Sequence, residues 1–160
     1  VGNLTSYSAY KCVDNFLNKL IKKKIIKKKH KLNYYITRIK GEGFKNRTIN
    51  NEEKLIEYLK KKKFKIISFE NKTVVEQMEI MYNSNIVLGV WGANLTNCIF
   101  KKRGGTLIEL YPDETQKNAD FYAYIAEQRK INFFRLNCKQ NSNSELLIDM
   151  HNLKKILNKV

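Results

Sequence analysis

The chain has 160 residues, and its 31 basic and 15 acidic side chains give a formal net charge of +16. This length predicts one ordinary domain, and hydrophobic residues make up 42 % of the sequence, which is enough for one core. The sequence contains no run of 18 apolar residues, so no membrane-spanning helix is predicted, and no signal peptide is visible after Val1. Three widely spaced cysteines match neither a disulfide framework nor a zinc pattern, which favours a reducing compartment.

The excess positive charge is concentrated in the first part of the chain. Residues 1–65 carry 19 basic and 5 acidic side chains, whereas residues 66–160 carry 12 and 10. Seven of the ten residues from Lys22 to Lys31 are lysine. Such a run suits an anionic surface, either nucleic acid or acidic lipid. The alternative is that these lysines simply form a solvated surface in a chain rich in Lys and Asn. The sequence has 26 Lys and 5 Arg, and this ratio disfavours nucleic-acid recognition, which relies on Arg.

Helices and strands alternate over most of the chain. In chain order, we predict a helix over 5–29, a strand over 32–38, a helix over 51–62, a strand over 65–69, a helix over 73–83, a strand over 85–90, a short helix near 95–100, a strand over 106–110, a helix over 116–130, a strand over 132–136 and a helix over 150–159. The predicted helix caps are Asn50 with Glu53, Thr73 with Glu76, and Asp149. Residues 41–43 and 139–145 are predicted loops.

This alternation predicts an α/β fold. The strands over 85–90 and 106–110 are apolar throughout, which is typical of strands covered on both faces. Parallel strands need crossover connections, and the intervening helices supply them. We therefore predict an open, doubly wound and mostly parallel sheet. Ligands of such sheets bind beyond the carboxyl ends of the strands, which here means after Arg38, after Val90 and around 110–113.

The segment from Gly89 to Asn97 is the most informative candidate for a ligand site. It leaves a predicted buried strand, turns at Gly92 and enters a short helix. Free N–H groups at a helix start suit a phosphate, and the small Gly92 and Ala93 allow close approach to the backbone. A plain turn in which Asn or Thr caps the helix is the structural alternative. The sequence contains neither G-x-G-x-x-G nor a P-loop pattern.

Six short motifs follow one another in the order that is typical of a known enzyme family. They are Arg38, Arg47, Asn51-Glu52, Thr73-x-x-Glu76-Gln77, Trp91-Gly-Ala-Asn-Leu-Thr-Asn97 and Leu107-Ile-Glu-Leu-Tyr-Pro112. In order and spacing the chain resembles glycosyltransferase family 61 from about residue 32 to 137. The segment 147–153 also resembles the end of bacterial members.

The resemblance implies a Rossmann-like, donor-binding half of a two-domain GT-B glycosyltransferase. Residues 30–160 would form that domain and residues 1–29 the linking helix, with the acceptor domain absent from this chain. The implied reaction is inverting transfer of a sugar from a nucleotide-sugar donor to a polysaccharide or glycoprotein, without a metal or other cofactor. The implied donor-binding residues are Arg38, Arg47, Glu76, Gln77, Gly89, Trp91, Gly92, Ala93, Asn94, Leu95, Thr96, Asn97 and Glu109.

Two residues depart from the family pattern. Trp91 stands where the family has His, and Asn94 stands where it has Gly. A Trp side chain transfers no proton at neutral pH, but it stacks on a base or a sugar. Asn tolerates left-handed backbone, so the turn can keep its shape. The catalytic residues are therefore unassigned. Two further hypotheses are a catalytically inactive nucleotide-sugar-binding relic and a basic domain that binds nucleic acid or a membrane surface.

Individual candidates also have structural explanations. Arg38 and Arg47 suit a diphosphate, and either could form a surface salt bridge instead. Glu76 stands at capping-box spacing from Thr73, which alone explains a carboxylate there. Glu109 lies inside an apolar strand, where ribose hydroxyls or a buried hydrogen bond could compensate its charge.

The expected location in the cell depends on whether the chain is a bacterial or a eukaryotic member of the family. A bacterial member would work in the cytoplasm, with peripheral membrane contact through Lys22–Lys31. A eukaryotic member would face the lumen of the Golgi or the endoplasmic reticulum.

Overall fold

The computed structural model describes residues 7–38, 48–113 and 120–160, with side chains from residue 10 onward. The predicted loop at 41–43, Arg47 and the start of the helix predicted from 116 lie outside these residues. The elements in chain order are α1 (Tyr7–Lys22), β1 (Leu32–Thr37), α2 (Glu52–Lys61), β2 (Phe64–Ser68), α3 (Val74–Tyr82), β3 (Ser84–Val90), α4 (Ala93–Thr96), a 3-10 helix (Asn97–Phe100), β4 (Thr106–Pro112), α5 (Phe121–Arg129), β5 (Asn132–Gln140), β6 (Leu146–Leu147) and α6 (Met150–Leu157).

The described strands form one mostly parallel sheet in the order β2-β1-β3-β4-β5-β6. The first five strands run parallel, and β6 pairs antiparallel with β5. The prediction of an α/β fold with a mostly parallel sheet is therefore confirmed. The strand order reverses between β1 and β3, and ligands of doubly wound sheets bind at the carboxyl ends of such neighbours.

Helices cover both faces of the sheet because β3 and β4 alternate apolar side chains between the two sides. On one face Leu88 and Ile108 belong to a buried cluster that includes residues of α2 and α6. On the other face Val87 and Leu107 belong to a cluster that includes residues of α3, α4 and α5. Every residue of β4 is buried, as the apolar run predicts.

Helix α1 ends at Lys22, so the prediction of a helix to residue 29 is wrong. Lys24 adopts a left-handed backbone with φ 58°. Its N–H bonds to Ile21 O at 2.9 Å, and the N–H of Ile25 bonds to Leu20 O at 2.9 Å. This hydrogen-bond pattern is the Schellman motif that ends a helix. The following residues, through Lys31, form no helix or strand.

Local capping predictions fared differently at three helices. Thr73 and Glu76 form the predicted capping box, and Asp149 accepts from two backbone N–H groups at the start of α6. The predicted box of Asn50 with Glu53 is wrong, because Asn51 is the residue before α2 and it makes no side-chain cap. The Asn51 amide is instead bonded in both directions to the backbone of Ile148.

Two further observations complete the fold. Strand β5 continues to Gln140, so the predicted loop at 139–145 is shorter than expected. Among the helices of the described ranges, none combines the length and hydrophobicity that a membrane span requires.

Candidate functional site at the carboxyl edge of the sheet

The turn between β3 and α4 is shaped by its own packing. Gly92 precedes α4 with φ 140°, a backbone conformation that favours glycine. Leu95 is fully buried, and a Cβ added to Gly89 would lie 3.0 Å from a Leu95 methyl carbon. Gly89 therefore makes room for a side chain of the turn itself. Ala93 is exposed, and Asn94 is partly exposed beside it.

Trp91 lies at the start of this turn, above the end of β4. Its backbone N–H bonds to Leu110 O at 2.9 Å, which extends the pairing of β3 with β4. Its ring meets the Tyr111 ring edge-on, with 6.0 Å between the ring centroids. The indole is partly exposed, so one aromatic surface is available at the carboxyl edge.

The Glu109 carboxylate is fully buried and paired with the Arg135 guanidinium. Its Oε2 accepts from Arg135 Nε at 2.7 Å, and β4 and β5 place the two residues opposite each other. Burial raises the pKa of Glu109, and the Arg135 guanidinium opposes that rise. Among the described residues, Glu109 Oε1 has no hydrogen-bond partner. The predicted buried carboxylate thus has half of its hydrogen-bonding capacity unused.

Two more buried polar atoms without a partner lie on the same pair of strands. They are the Tyr111 hydroxyl and Arg135 Nη2, again counted among the described residues. The Arg135 guanidinium stacks on the Tyr111 ring, 4.5 Å from its centroid. Buried polar groups are nearly always hydrogen-bonded in native proteins. We call Glu109, Tyr111 and Arg135 the unsatisfied cluster.

Tyr122 connects helix α5 to the turn. Its hydroxyl donates to Gly92 O at 2.6 Å and lies 3.5 Å from Thr96 Oγ1. Burial is the main cause that raises the pKa of Tyr122. The bond to Gly92 O fixes the carbonyl of the turn. The contact of the Tyr122 hydroxyl with Thr96 is longer.

Glu76, Gln77 and Asn97 have structural partners. Glu76 Oε2 accepts from the backbone N–H and the hydroxyl of Thr73 at 2.8 Å each, and these hydrogen bonds lower the pKa of Glu76. The Gln77 amide donates to Phe69 O at 3.2 Å and accepts from Asn97 Nδ2 at 2.9 Å. This network ties the end of β2 and helix α3 to the turn.

Arg38 follows directly on β1, at the strand-order reversal. Ile36 pairs with Gly89, so Arg38 lies level with the start of the turn. Arg38 is partly exposed and has its own contacts. Glu52, the acid of the Asn-Glu motif, accepts from the Tyr35 and Thr37 hydroxyls at 2.7 Å and 2.5 Å. That carboxylate fastens α2 to β1.

Sequence reasoning singled out Glu109 and Trp91 as candidates but assigned no role to the aromatic and cationic side chains around them. Tyr122 and Arg135 belong to none of the six motifs, whereas Tyr111 lies in the motif Leu107-Ile-Glu-Leu-Tyr-Pro112 but was given no role of its own. Two signals for Arg135 were available: the whole sequence has only 5 arginines, and this one lies in an apolar strand. Its partner is 26 residues away along the chain, so only the register of β4 with β5 reveals the pair.

Among the residues that the structure describes, no group of three or more His, Cys, Asp or Glu side chains is placed to hold a metal ion. Cys98 and Cys138 are buried, and burial raises the pKa of each thiol to about 12. A thiol with so high a pKa is a poor nucleophile at neutral pH.

The comparison with protein families matches residues 3–108 to the model described as Glycosyltransferase 61. This segment is about two thirds of the chain and includes the turn and both arginine positions. The chain belongs to glycosyltransferase family 61. The match ends one residue before Glu109, so the unsatisfied cluster lies just beyond the matched segment of this family member. No curated protein matches the chain.

Proposed function

We propose that this family 61 domain binds a nucleotide-sugar donor at the carboxyl edge of its sheet, for transfer of the sugar to a glycan or glycoprotein. The single observation that carries the proposal is the unsatisfied cluster beside the turn. A carboxylate oxygen, a hydroxyl and a guanidinium nitrogen without partners among the described residues are a donor and acceptor set that fits ribose hydroxyls and phosphate oxygens. A ligand there would compensate three buried groups at once.

The proposed placement of the donor follows from where these groups lie. The ribose would meet Glu109 and Tyr111, and the base or sugar would stack on Trp91. The diphosphate would lie between Arg38 and the backbone of Gly92 to Asn94, with Thr96 at its side. Family membership supports this arrangement, as does the position of Arg38 and the turn after β3 at the strand-order reversal, with Glu109 and Tyr111 on the neighbouring strand β4.

The proposed reaction is inverting and needs no metal ion. Departure of the nucleoside diphosphate builds up negative charge, which the Arg38 guanidinium and nearby N–H dipoles would stabilise. The ion pair with Arg135 disfavours Glu109 as the base that activates an acceptor, because the guanidinium stabilises the charged carboxylate. We therefore assign it to donor binding only.

The test is a calorimetric titration of the chain with nucleoside diphosphates and their sugars at low and high salt. Trp91 is the only tryptophan in the sequence, so its fluorescence reports on the turn in the same samples. We expect saturable binding that favours one base and persists at high salt. Tyr111→Phe should weaken it about fivefold to tenfold, since it removes one hydrogen bond worth roughly 1 kcal/mol.

The matched control is Tyr124→Phe, because Tyr124 is an α5 tyrosine outside the cluster. It should leave the affinity unchanged. Binding that disappears at high salt, or equal affinities for Tyr111→Phe and the wild type, would remove the proposed site. Glu109→Gln adds a second test, because it keeps an oxygen for Arg135 while removing the charge.

A catalytically inactive donor-binding protein is the second candidate, and the tryptophan at position 91 favours it. The variant Trp91→His restores a group that can exchange a proton near the leaving group. A gain of donor hydrolysis or sugar transfer would favour the inactive-relative hypothesis. Equal activity in the wild type and the variant would oppose it.

A further inference from the structure

The edge of the sheet opposite the candidate site is strongly basic. Because β1 to β5 are parallel, the segments that lead into them all meet at their amino ends. Four of the five segments carry Lys or Arg. The basic residues there are Lys23, Lys24, Lys27, Lys28, Lys29 and Lys31 before β1, Lys62 and Lys63 before β2, Lys101, Lys102 and Arg103 before β4, and Lys130 before β5. We call this surface the basic edge.

The positive charge at this edge is exposed and largely uncompensated. All of these residues except Lys101 are exposed. Among the described residues, two members of the basic edge form salt bridges, Lys29 with Glu79 and Arg103 with Asp14. Uncompensated cations on one side of a protein attract an anionic surface and orient the protein on it.

The lysine-rich segment is held in place by backbone contacts. The N–H of Lys27 donates to Glu79 Oε2 at 3.0 Å, and that of Lys29 donates to Asn83 Oδ1 at 2.8 Å. Asn83 Nδ2 returns a hydrogen bond to Lys27 O at 2.9 Å. The cations are therefore presented by an ordered surface, and binding through them costs less conformational entropy than ordering a loose tail.

Three of these lysines occupy backbone positions that favour glycine. Lys24, Lys63 and Lys130 have φ values of 58°, 60° and 53°. Each follows the end of a helix, where glycine is the usual left-handed residue and any other side chain adds steric strain. All three lie at the basic edge, so lysine is present there at a cost to the backbone.

An apolar side chain lies among the lysines. Ile25 is 44 % exposed between Lys24 and the buried Ile26. Phe16 of α1 is 45 % exposed on the helix that leads to this segment. An exposed isoleucine flanked by ammonium groups fits the boundary between lipid headgroups and acyl chains. Nucleic acid readers instead use arginine and stacked aromatic side chains, which the described basic edge largely lacks.

We propose that the basic edge docks on an anionic lipid surface, with Ile25 entering the headgroup layer. The candidate donor site then faces away from the membrane, because it lies at the opposite edge of the same sheet. This inference is independent of the proposed donor binding, since the two surfaces share no residue.

The test is co-sedimentation with vesicles of phosphatidylcholine alone and of phosphatidylcholine with phosphatidylglycerol. We expect binding only to the anionic vesicles, with a marked decrease at high salt. Lys24→Gln combined with Lys27→Gln and Lys28→Gln should weaken it at least tenfold. The matched control changes three lysines near the carboxyl edge, Lys54, Lys72 and Lys139, to Gln and should retain most of the binding.

A second variant separates lipid from other anions. Ile25→Asn should weaken binding to anionic vesicles severalfold while leaving retention on heparin unchanged. Val74→Asn is its control, since Val74 is 61 % exposed on α3 at the other edge. Equal binding to neutral vesicles, or no loss in the triple lysine variant, would overturn the proposal. Tighter binding to DNA than to vesicles, unaffected by Ile25→Asn, would overturn it in favour of nucleic acid.

Discussion

At the amino edge of the sheet the buried Lys101 ammonium donates to three oxygens, whereas towards the carboxyl edge the buried Glu109 carboxylate uses one oxygen of two. The Lys101 Nζ lies 2.6 Å from Ser84 O, 3.0 Å from Ser84 Oγ and 2.8 Å from Asn85 O. Glu109 Oε1 has no partner among the described residues. Complete hydrogen bonding marks groups that stabilise the fold, and incomplete hydrogen bonding marks groups that can bind a ligand.

The neighbours of these two groups follow the same division. Arg129 donates through Nε and Nη2 to Lys101 O and through Nη1 to Asp14 at 2.7 Å. A Cβ on Gly105 would clash with the backbone oxygen of Asn85 and would lie 2.8 Å from Lys101 Nζ, so only glycine fits there. Near the carboxyl edge, Tyr111 and Arg135 add two more atoms to the one on Glu109 that have no hydrogen-bond partner in the part of the chain that the structure describes. We therefore expect substitutions in the buried network of Lys101 and Arg129 to change stability and those in the unsatisfied cluster to change nucleotide binding.

The largest expected effect is loss of the Arg129 network. Arg129→Ala should lower the free energy of unfolding by about 3 kcal/mol, because it leaves buried groups without partners and opens a cavity. Urea unfolding followed by circular dichroism measures the change. Arg103→Ala is the matched control, since Arg103 lies 3.7 Å from the same Asp14 but is exposed. It should cost less than about 0.5 kcal/mol, and equal losses for the two variants would contradict the assignment.

The next largest effect is a pH dependence caused by Lys101. Burial, followed by the nearby charge of Lys31, lowers its pKa from 10.5 to about 7. Between these two values the unfolded chain holds a proton that the folded chain lacks, so stability should rise with pH. The expected gain is about 1 to 2 kcal/mol from pH 7 to pH 8.5.

Lys101→Met should flatten this slope, whatever it does to the stability itself. Unfolding must be measured below pH 9. Above that pH, the thiols of Cys98 and Cys138 make the folded state less stable as the pH rises, which opposes the effect of Lys101. Their folded pKa values of about 12 exceed the ordinary value of 9.0, so their contribution is lost as the pH rises through 12. The same slope in Lys101→Met and the wild type would exclude Lys101 as its source.

Much of the fold could be predicted because its signals are local. Apolar runs at 85–90 and 106–110 indicated buried strands, and the Thr73 and Asp149 caps act within three residues of themselves. The end of α1 could not be predicted, because a lysine adopts the left-handed conformation that sequence patterns assign to glycine.

The candidate site was predictable only in part because its contacts join distant positions. The turn after β3 was recognisable from its glycine and its position after a buried strand. The bond from Asn97 to Gln77 spans 20 residues, and the bond from Arg135 to Glu109 spans 26. No periodicity encodes such pairs. The sequence therefore indicated where a ligand could bind, but it did not separate residues that hold the turn from residues with unused hydrogen bonds.

Two tyrosines sharpen the contrast between satisfied and unsatisfied groups. Tyr122→Phe removes a hydroxyl that donates to Gly92 O, so it should lower the free energy of unfolding by about 1 kcal/mol. Tyr111→Phe removes a buried hydroxyl that has no partner within residues 7–38, 48–113 and 120–160, so ligand-free stability should stay constant or rise slightly. Thermal unfolding of both variants without nucleotide measures this. A larger loss for Tyr111→Phe than for Tyr122→Phe would show that the Tyr111 hydroxyl is already bonded.

The smallest expected effect tests whether a lysine in the left-handed conformation lowers the stability of the fold while its charge strengthens lipid binding. Lys130 has φ 53° at the end of α5, so Lys130→Gly should relieve left-handed strain and stabilise the fold by roughly 0.5 kcal/mol, after the greater freedom of glycine in the unfolded chain is included. The same substitution removes one cation from the basic edge and should weaken binding to anionic vesicles about twofold. Stability and lipid binding would then change in opposite directions. Lys102→Gly, at an exposed position without positive φ, should weaken binding similarly without stabilising the fold. If Lys130→Gly stabilises the protein and leaves vesicle binding intact, the left-handed lysine serves no surface function, and the charge at this position has no part in docking.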